Sequence, residues 1–252
     1  MKYLQLIQGD CAEVLPTLED LSVDMILVDI PYAEVNRQSA GLRELDKGKA
    51  DEITFDLDKV LSECVRLVKG SIYVFCGFEQ ISPIRKFLVS SGLSTRLCIW
   101  EKTNPSPMNG DKIWLSGVEA CVFGRKPNAI FNRHCKNTVF RFPSGSSKIH
   151  PTEKPVPLLE ELITASSNAG DLVLDFTMGS GSTGEACLKN GRRFLGVELD
   201  QHYFEKARDR LENFKARRID LLDDDSDEDI SEPDAVSLFD LLDLGAGDIG
   251  KA

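Results

Sequence analysis

The sequence lacks any segment that could span a membrane or direct export. No run of 18 or more apolar residues occurs in its 252 residues, and the first ten, MKYLQLIQGD, do not have the pattern of a signal peptide. These two absences predict a soluble protein of the cytoplasm.

Cysteine and histidine are sparse and scattered. None of the seven cysteines forms a Cys-x-x-Cys pair, and the three histidines lie far apart, so no spacing typical of a zinc site is present. An odd, unclustered set of cysteines is typical of reduced, mostly buried thiols. We therefore expect no bound metal.

Excess acidic charge is confined to one end of the chain. Residues 219–252 contain 12 of the 41 acidic residues and one of the 30 basic residues, which leaves residues 1–218 with no net charge. This division predicts a folded domain over 1–218 and a disordered acidic tail over 219–252. The acidic balance of the chain therefore says nothing against a nucleic-acid partner for the domain.

Short apolar runs alternate with helical patterns along the domain. Runs such as DMILVDI, SIYVF and LVLDF are almost continuously apolar, which is typical of strands buried on both faces. The predicted fold class is α/β: a doubly wound, mostly parallel sheet with helices on both faces. The stretch between EACVFG and the helix of PVPLLEELITASS is expected to be irregular.

A glycine-rich loop follows one of the predicted strands. LVLDFTMGSGSTGEACL places Gly179 and Gly181 directly after a strand and at the start of a helix. Glycines let the backbone approach a bound nucleotide, and Glu198 at the end of the next strand is placed to accept hydrogen bonds from ribose hydroxyls. This spacing also permits NAD. Asp175, just before the loop, instead favours the cationic end of S-adenosylmethionine over a pyrophosphate.

Another buried strand, MILV, ends in Asp29-Ile30-Pro31-Tyr32. Taken alone, this is an ordinary turn after a strand, with a partly buried tyrosine. A functional interpretation depends on the other segments of the chain.

Together these segments resemble the amino-methylating DNA methyltransferases, which act on N6 of adenine or N4 of cytosine, with the catalytic motif before the cofactor motif. DIPY is similar to their (D/N/S)-P-P-(Y/F/W) motif, DFTMGSGSTG to their D-P-F-x-G-S-G loop, and HPTEKPVPLLEELI to the segment before that loop. FLGVELDQHYFEKARDRL resembles their ribose-binding strand and helix. Two positions depart from the family: Ile30 replaces a proline, and Phe176-Thr177 replaces Pro-Phe.

The resemblance implies a methyltransferase-type fold and a catalytic role for each residue of DIPY. Asp29 and the carbonyl group of Ile30 each accept one N–H of a target amine on a base that has been flipped out of the duplex. Pro31 stiffens the turn, and Tyr32 stacks on the base. Asp at the first motif position is more typical of adenine-N6 enzymes, and Ser of cytosine-N4 enzymes. We therefore predict a DNA adenine-N6 methyltransferase.

The resemblance also implies S-adenosylmethionine as the cofactor. Its predicted contacts are Asp10, Thr152, Lys154, Pro155, Asp175, Phe176, Gly179, Gly181 and Glu198. Asp10 is expected at the adenine edge of the cofactor, with a helix N-cap as the alternative. Thr152, Lys154 and Pro155 are expected near its methionine end, with a simple turn before a helix as the alternative.

Basic and aromatic residues lie together in the segment 125–147, where the family has its target recognition. No acidic residue occurs between Glu119 and Glu153. Contacts with the phosphates of double-stranded DNA are predicted for Arg125, Lys126, Arg133, Lys136 and Arg141. Because the segment is only 23 residues long, we expect a short target or a weak sequence preference. The loop 36–51 is a second predicted contact, with an ordinary solvated loop as the alternative.

The tail contains one apolar cluster, AVSLF at 235–239. It resembles the Q-L-S-L-F type of peptide by which bacterial DNA enzymes hold the replication sliding clamp, with Ala235 in place of Gln. This predicts a flexible tether to the clamp. The alternative is an amphipathic tail over 236–244 that folds back on the domain or aids solubility.

Other functions compete with adenine-N6 methylation of DNA. Related motifs also serve cytosine N4, RNA or a glutamine amide in a protein, and the basic stretch favours nucleic acid over protein. A dinucleotide-dependent oxidoreductase would explain the glycine loop but not DIPY or HPTEKP. A non-catalytic DNA-binding protein would explain the tail, but not the intact Asp29, Tyr32 and Glu198. A thiolate-dependent C5-cytosine methyltransferase is disfavoured because no Pro-Cys dipeptide occurs. A compact enzyme of this kind suits a restriction-modification or phage modification system.

Overall fold

A computed structural model describes residues 3–32, 55–107, 110–145 and 153–224, with side chains described up to residue 214. The strands are β1 Leu4–Gln8, β2 Val23–Asp29, β3 Val68–Cys76, β4 Ser94–Lys102, β5 Val118–Arg125, β6 Val139–Phe142, β7 Leu172–Asp175 and β8 Arg193–Glu198. The helices are α1 Cys11–Val14, α2 Leu57–Leu67, α3 Phe78–Ser90, α4 Val156–Ser166, α5 Ser182–Lys189 and α6 Gln201–Asp224.

The strands of the described residues form one sheet of eight strands in the order β1-β8-β7-β2-β3-β5-β4-β6. Only β5 among them runs antiparallel to its neighbours, β3 and β4. The predicted α/β class with a mostly parallel sheet is confirmed.

The sheet is covered on both faces, as its continuous apolar strands predict. Successive residues of β2 alternate between two cores: Met25 and Leu27 pack in one, and Ile26 and Val28 in the other. The first core includes side chains of α4, α5 and α6, and the second includes side chains of α1, α2 and α3. A strand that is buried on both faces has no reason to alternate polar and apolar residues.

The direction of each strand decides which loops meet. Strands β1, β2, β3, β7 and β8 run parallel and end at one edge of the sheet, which we call the carboxyl edge. Because β5 is reversed, its first residues lie at this edge and its last residues at the opposite one: Ala120 pairs with Cys76 at the end of β3, and Arg125 pairs with Ser71 near its start.

The basic segment contains a strand that the sequence analysis did not predict. Val139–Phe142 forms β6, which pairs in parallel with β4, and the Trp100 indole donates a hydrogen bond to the Phe142 carbonyl oxygen. Four residues are too few for a clear alternating pattern.

The chain divides into two compact units, Met1–Lys215 and Ala216–Ala252. Helix α6 continues to Asp224. No helix in the described ranges is long and apolar enough to cross a membrane.

Candidate active site

The glycine loop at the end of β7 has a backbone that only glycine adopts easily. Gly179 and Gly181 have φ angles of 51° and 81°, and a Cβ atom on Gly181 would lie 3.2 Å from the Cβ atom of Ala207. Gly181 is the N-cap of α5, so the loop leads directly into a helix N-terminus at the carboxyl edge. Gly179, together with Ser180 and Ser182 on either side of Gly181, lines a pocket at this edge.

Two predicted cofactor carboxylates line the same pocket and also organise its backbone. Glu198 accepts hydrogen bonds from the backbone N–H groups of Gly179 and Asp200, both at 2.9 Å, and burial raises its pKa. Asp10 is the N-cap of α1 and accepts a hydrogen bond of 2.8 Å from the N–H of Ala12. Asp10 therefore has the capping geometry of the alternative interpretation as well as a place in the pocket wall.

Asp175 is a third pocket carboxylate, and its side chain is almost fully buried. It is 3% exposed and accepts a hydrogen bond of 3.1 Å from the N–H of Thr177. Burial raises its pKa to about 7, against hydrogen bonds from Thr183 and Thr177 that lower it. A carboxyl group with this pKa gains stabilisation from any cation that binds beside it. The buried ring of Phe176 lies next to it in the pocket wall.

The predicted catalytic motif, DIPY, lies at the end of β2 and lines the pocket. The N–H of Ile30 donates to the carbonyl oxygen of Phe75 at 3.2 Å, and the Gln80 side chain donates to the carbonyl oxygen of Pro31 at 3.1 Å. The Thr177 hydroxyl donates to the carbonyl oxygen of Asp29 at 3.1 Å. The glycine loop and the catalytic motif are thus joined by a hydrogen bond.

Four charged side chains and one phenol form a connected network beside the motif. Lys154 forms an ion pair with the Oδ2 atom of Asp29 and another, of 3.0 Å, with Glu119. Glu119 also pairs with Lys102 at 2.7 Å and accepts a hydrogen bond of 3.1 Å from the Tyr32 hydroxyl. The ammonium group of Lys154 lies 5.4 Å from the centre of the Tyr32 ring, so it fixes the ring as well.

The network keeps opposite charges together in a buried place. Burial raises the pKa of Asp29, and Lys154 opposes that shift. Burial would lower the pKa of Lys154, but Asp29 and Glu119 outweigh it and raise the pKa. Burial would likewise raise the pKa of Glu119, but Lys154 and Lys102 hold it below its usual value. The pKa of Tyr32 is well above its usual value, mainly through burial, so its hydroxyl stays a donor.

Sequence reasoning missed Glu119, Lys102 and Thr177 as parts of this site. It used Glu119 only as the boundary of the basic stretch. A signal was present, because Glu119 is a charged residue near the start of the buried run ACVFG, as Asp29 is at the end of another. Glu153, which accepts hydrogen bonds from Ser180 and Arg210, was also missed, because it was used only as the other boundary of the basic stretch.

The structure places the predicted DNA contacts in different parts of the domain. Arg125 and Lys126 follow the reversed strand β5 to the edge opposite the pocket, where they donate to the backbone oxygens of Ala129 and Val68. Arg133 pairs with Glu161 of α4. Arg141, by contrast, pairs with Glu101 near the carboxyl edge, and Lys136 is exposed. Only Arg141 is placed at the same edge as the pocket.

The remaining predicted positions are only partly covered by the described residues. Pro155 is the N-cap of α4, and its neighbour Lys154 is in the network. Thr152, the loop 36–51 and the tail segment 235–239 lie outside the described residues.

The pocket and its motifs can be compared with known proteins. A family model described as DNA methylase, for N6 and N4 methyltransferases, matches residues 101–209. The type II methyltransferase M.HinfI of Haemophilus influenzae is 30% identical over 254 residues, which cover 86% of this chain and 70% of that protein. The chain belongs to the N6/N4 DNA methyltransferase family.

Other members of the family agree in both sequence and fold. The type II methyltransferase M2.DpnII of Streptococcus pneumoniae is 27% identical over 82% of this chain and 89% of its own length. The crystal structure of an M1.HpyAVI complex with S-adenosylmethionine matches 82% of this chain and 98% of that chain, with a TM-score of 0.66 and 30% identity. The predicted membership of the amino-methylating family is confirmed, and the protein is a DNA methyltransferase.

The cofactor of this methyltransferase is S-adenosylmethionine, as predicted. The pocket fits it chemically. The buried carboxyl group of Asp175 suits a cationic ligand, and Glu198 offers a carboxylate for hydroxyl groups. Gly179 lines the pocket and has no side chain that would block the approach of the cofactor to the loop backbone.

Proposed function

We propose that this methyltransferase modifies the N6 amine of adenine in double-stranded DNA, at a short or weakly defined target sequence. The observation that carries the proposal is the state of Asp29. Its Oδ1 atom is buried and has no hydrogen-bond partner among the described residues, and the residue lines the pocket beside the glycine loop. Asp at this motif position is more typical of adenine-N6 enzymes than of cytosine-N4 enzymes.

An unpaired acceptor at this position suits the chemistry of an aromatic amine. The lone pair of such an amine is delocalised into the ring, so the amine is a weak nucleophile. In the proposed complex Asp29 accepts one N–H and the carbonyl oxygen of Ile30 accepts the other, which draws the nitrogen toward tetrahedral geometry. Bound S-adenosylmethionine supplies a methyl group that is already activated, so positioning accounts for most of the rate.

Tyr32 is the proposed platform for the flipped base. Its ring is held by two contacts of its hydroxyl group, which donates to Glu119 at 3.1 Å and accepts from the Lys154 ammonium at 3.3 Å. A ring with a fixed orientation loses little conformational freedom when a base stacks on it, and such stacking is worth about 1–3 kcal/mol per base.

The carboxyl edge is the proposed surface for the duplex. Trp114, in the connection between β4 and β5, is 95% exposed, and Ile113 beside it is 67% exposed. Exposed apolar side chains near basic ones are typical of surfaces that contact unstacked bases. The exposed Arg141 at this edge is the proposed phosphate contact.

Nucleoside mass spectrometry of DNA from cells expressing the protein tests the choice of base. We expect N6-methyladenine above the level in cells that express Asp29→Ala. N4-methylcytosine without N6-methyladenine would contradict the proposal and assign the same site to cytosine, whose exocyclic amine also presents two N–H groups. Sequencing of the methylated positions then gives the length of the target.

A further inference from the structure

The ammonium group of Lys154 is fully engaged within the protein. A lysine ammonium carries three N–H donors. Those of Lys154 meet three oxygen atoms: Asp29 Oδ2, Glu119 Oε2 at 3.0 Å and the Tyr32 hydroxyl at 3.3 Å. The side chain is only 5% exposed. No N–H group is left for a ligand, so a contact with the methionine end of the cofactor does not account for this geometry.

The two oxygen atoms of Asp29 have different surroundings. Oδ2 is held by Lys154, whereas Oδ1 is buried without a partner in the described part of the chain. A hydrogen-bonded ion pair on one oxygen fixes the rotation of the carboxylate, and therefore the direction in which the other oxygen points. An unsatisfied buried oxygen costs free energy unless a ligand satisfies it.

We propose that Lys154 is a positioning residue for base methylation, whose ammonium holds Oδ2 of Asp29 so that Oδ1 is left to accept an N–H of the target amine. This inference rests on the proposed role of Asp29 as the acceptor of that amine. It holds equally for adenine N6 and cytosine N4, because both amines present N–H groups.

Glu119 also holds the ammonium group of Lys154, through a second ion pair. Its second oxygen pairs with Lys102 at 2.7 Å, so the charges alternate in the order Asp29, Lys154, Glu119, Lys102 and sum to zero. Buried charges are tolerated when they are paired and hydrogen-bonded in this way, and removal of one partner leaves the other uncompensated. The lysine is therefore fixed by two carboxylates, and only one of them is proposed to touch the substrate.

The two charged neighbours of Asp29, Lys154 and Glu119, shift its pKa in opposite directions. Lys154 lowers the pKa of Asp29 against the effect of burial, and the negative charge of Glu119 raises it. The titratable groups that face Asp29 are Tyr32, Cys76, Glu119, Cys121, Lys154 and Asp175. An ionised Asp29 is the stronger acceptor, so the acidic limb of kcat/KM for DNA follows its pKa.

Two single substitutions test the proposal through the pH profile. Lys154→Met should lower kcat by about 100-fold, since the acceptor is no longer held in place, and should move the acidic limb to higher pH. Glu119→Gln should move the limb to lower pH, because it removes a negative charge beside Asp29. Lys154→Arg keeps the charge and should restore part of the activity, with the limb near that of the wild type. All rates are measured at saturating S-adenosylmethionine, so that Asp175 is in the same state throughout.

A double variant and a measurement of cofactor affinity separate an effect on Asp29 from an effect on cofactor binding. Lys154→Met with Glu119→Gln retains the net charge of the site and should place the acidic limb between those of Lys154→Met and the wild type. Calorimetry should give an unchanged Kd for S-adenosylmethionine in Lys154→Met. A Kd that rises tenfold or more while the acidic limb stays in place would overturn the proposal and return Lys154 to the cofactor. Shifts of the same sign in Lys154→Met and Glu119→Gln would also overturn it. Failure of the proposed function is distinguishable, because nucleoside mass spectrometry of the wild-type product would then show no N6-methyladenine, whatever the pH profiles of the variants.

Discussion

Asp29 and Glu198 are carboxylates of the same pocket with different hydrogen-bond states, and this difference predicts different effects of substitution. Asp29 has an unpaired oxygen, whereas both oxygens of Glu198 accept backbone N–H groups of the loop and of Asp200. Asp29→Ala should abolish methyl transfer and leave the Kd for S-adenosylmethionine nearly unchanged. Glu198→Gln should raise that Kd by about 10- to 100-fold, the range expected when a hydrogen bond with a charged group is lost. Calorimetry on both variants checks this, and a large loss of cofactor affinity in Asp29→Ala would contradict the assignment.

Asp175 should make cofactor binding depend on pH. Its pKa in the folded enzyme is about 7, above the value of 3.8 for a free carboxyl group. Between these two values the folded enzyme holds a proton that the unfolded chain has lost, so the free energy of unfolding decreases as pH rises through this window. A cationic cofactor favours the ionised form, so its affinity should increase from pH 5 to pH 7 by up to about tenfold per pH unit.

Asp175→Asn serves as the isosteric control for that prediction. Its cofactor affinity should be flat over the same pH range. Calorimetry in two buffers of different ionisation enthalpy would count the protons released on binding by the wild-type enzyme. An equal pH dependence in both proteins would assign it to another group.

At the scale of elements, the reversed direction of β5 predicts which basic residues matter for DNA binding. Arg141→Ala should reduce the log–log salt slope of DNA binding by about one, for one lost phosphate contact. Arg125→Ala is the matched control, because Arg125 lies at the opposite edge. The fluorescence of the exposed Trp114 offers a direct readout of binding. Equal slopes in the two variants would place the DNA on another surface.

The secondary structure was largely predictable, whereas the contents of the site were only partly so. Continuous apolar runs such as MILV are buried on both faces, and this burial can be predicted from neighbouring residues alone. Glu119 meets Asp29 because β5 lies beside β3 and runs against it, and no spacing in the sequence encodes strand order. The motif residues were found through the family resemblance. Glu119, Lys102 and Thr177 could be assigned to the site only once the order and direction of the strands were known.

At the scale of the whole molecule, the charge of the chain is divided between the domain and its end. Removal of residues 225–252 takes away nine acidic residues and one lysine from a protein whose net charge is −11. The truncated enzyme should bind DNA more tightly at low salt, because long-range repulsion is reduced, and equally well at high salt, where that repulsion is screened. Titration at two ionic strengths checks this. A difference that persists at high salt would indicate a direct contact of the removed segment.

The two departures from the family motifs meet at one peptide unit. Ile30 has an N–H group that a proline lacks, and it donates this N–H to Phe75; Thr177 has a hydroxyl group that a phenylalanine lacks, and it donates to the carbonyl oxygen of Asp29. The peptide bond between Asp29 and Ile30 is therefore held from both ends by hydrogen bonds, where the usual motif relies on the stiffness of a ring. In terms of descent, we expect the two substitutions to compensate each other. Lineages that carry a residue with an N–H group at position 30 should also carry a hydroxyl group at position 177, and either change alone should be rare.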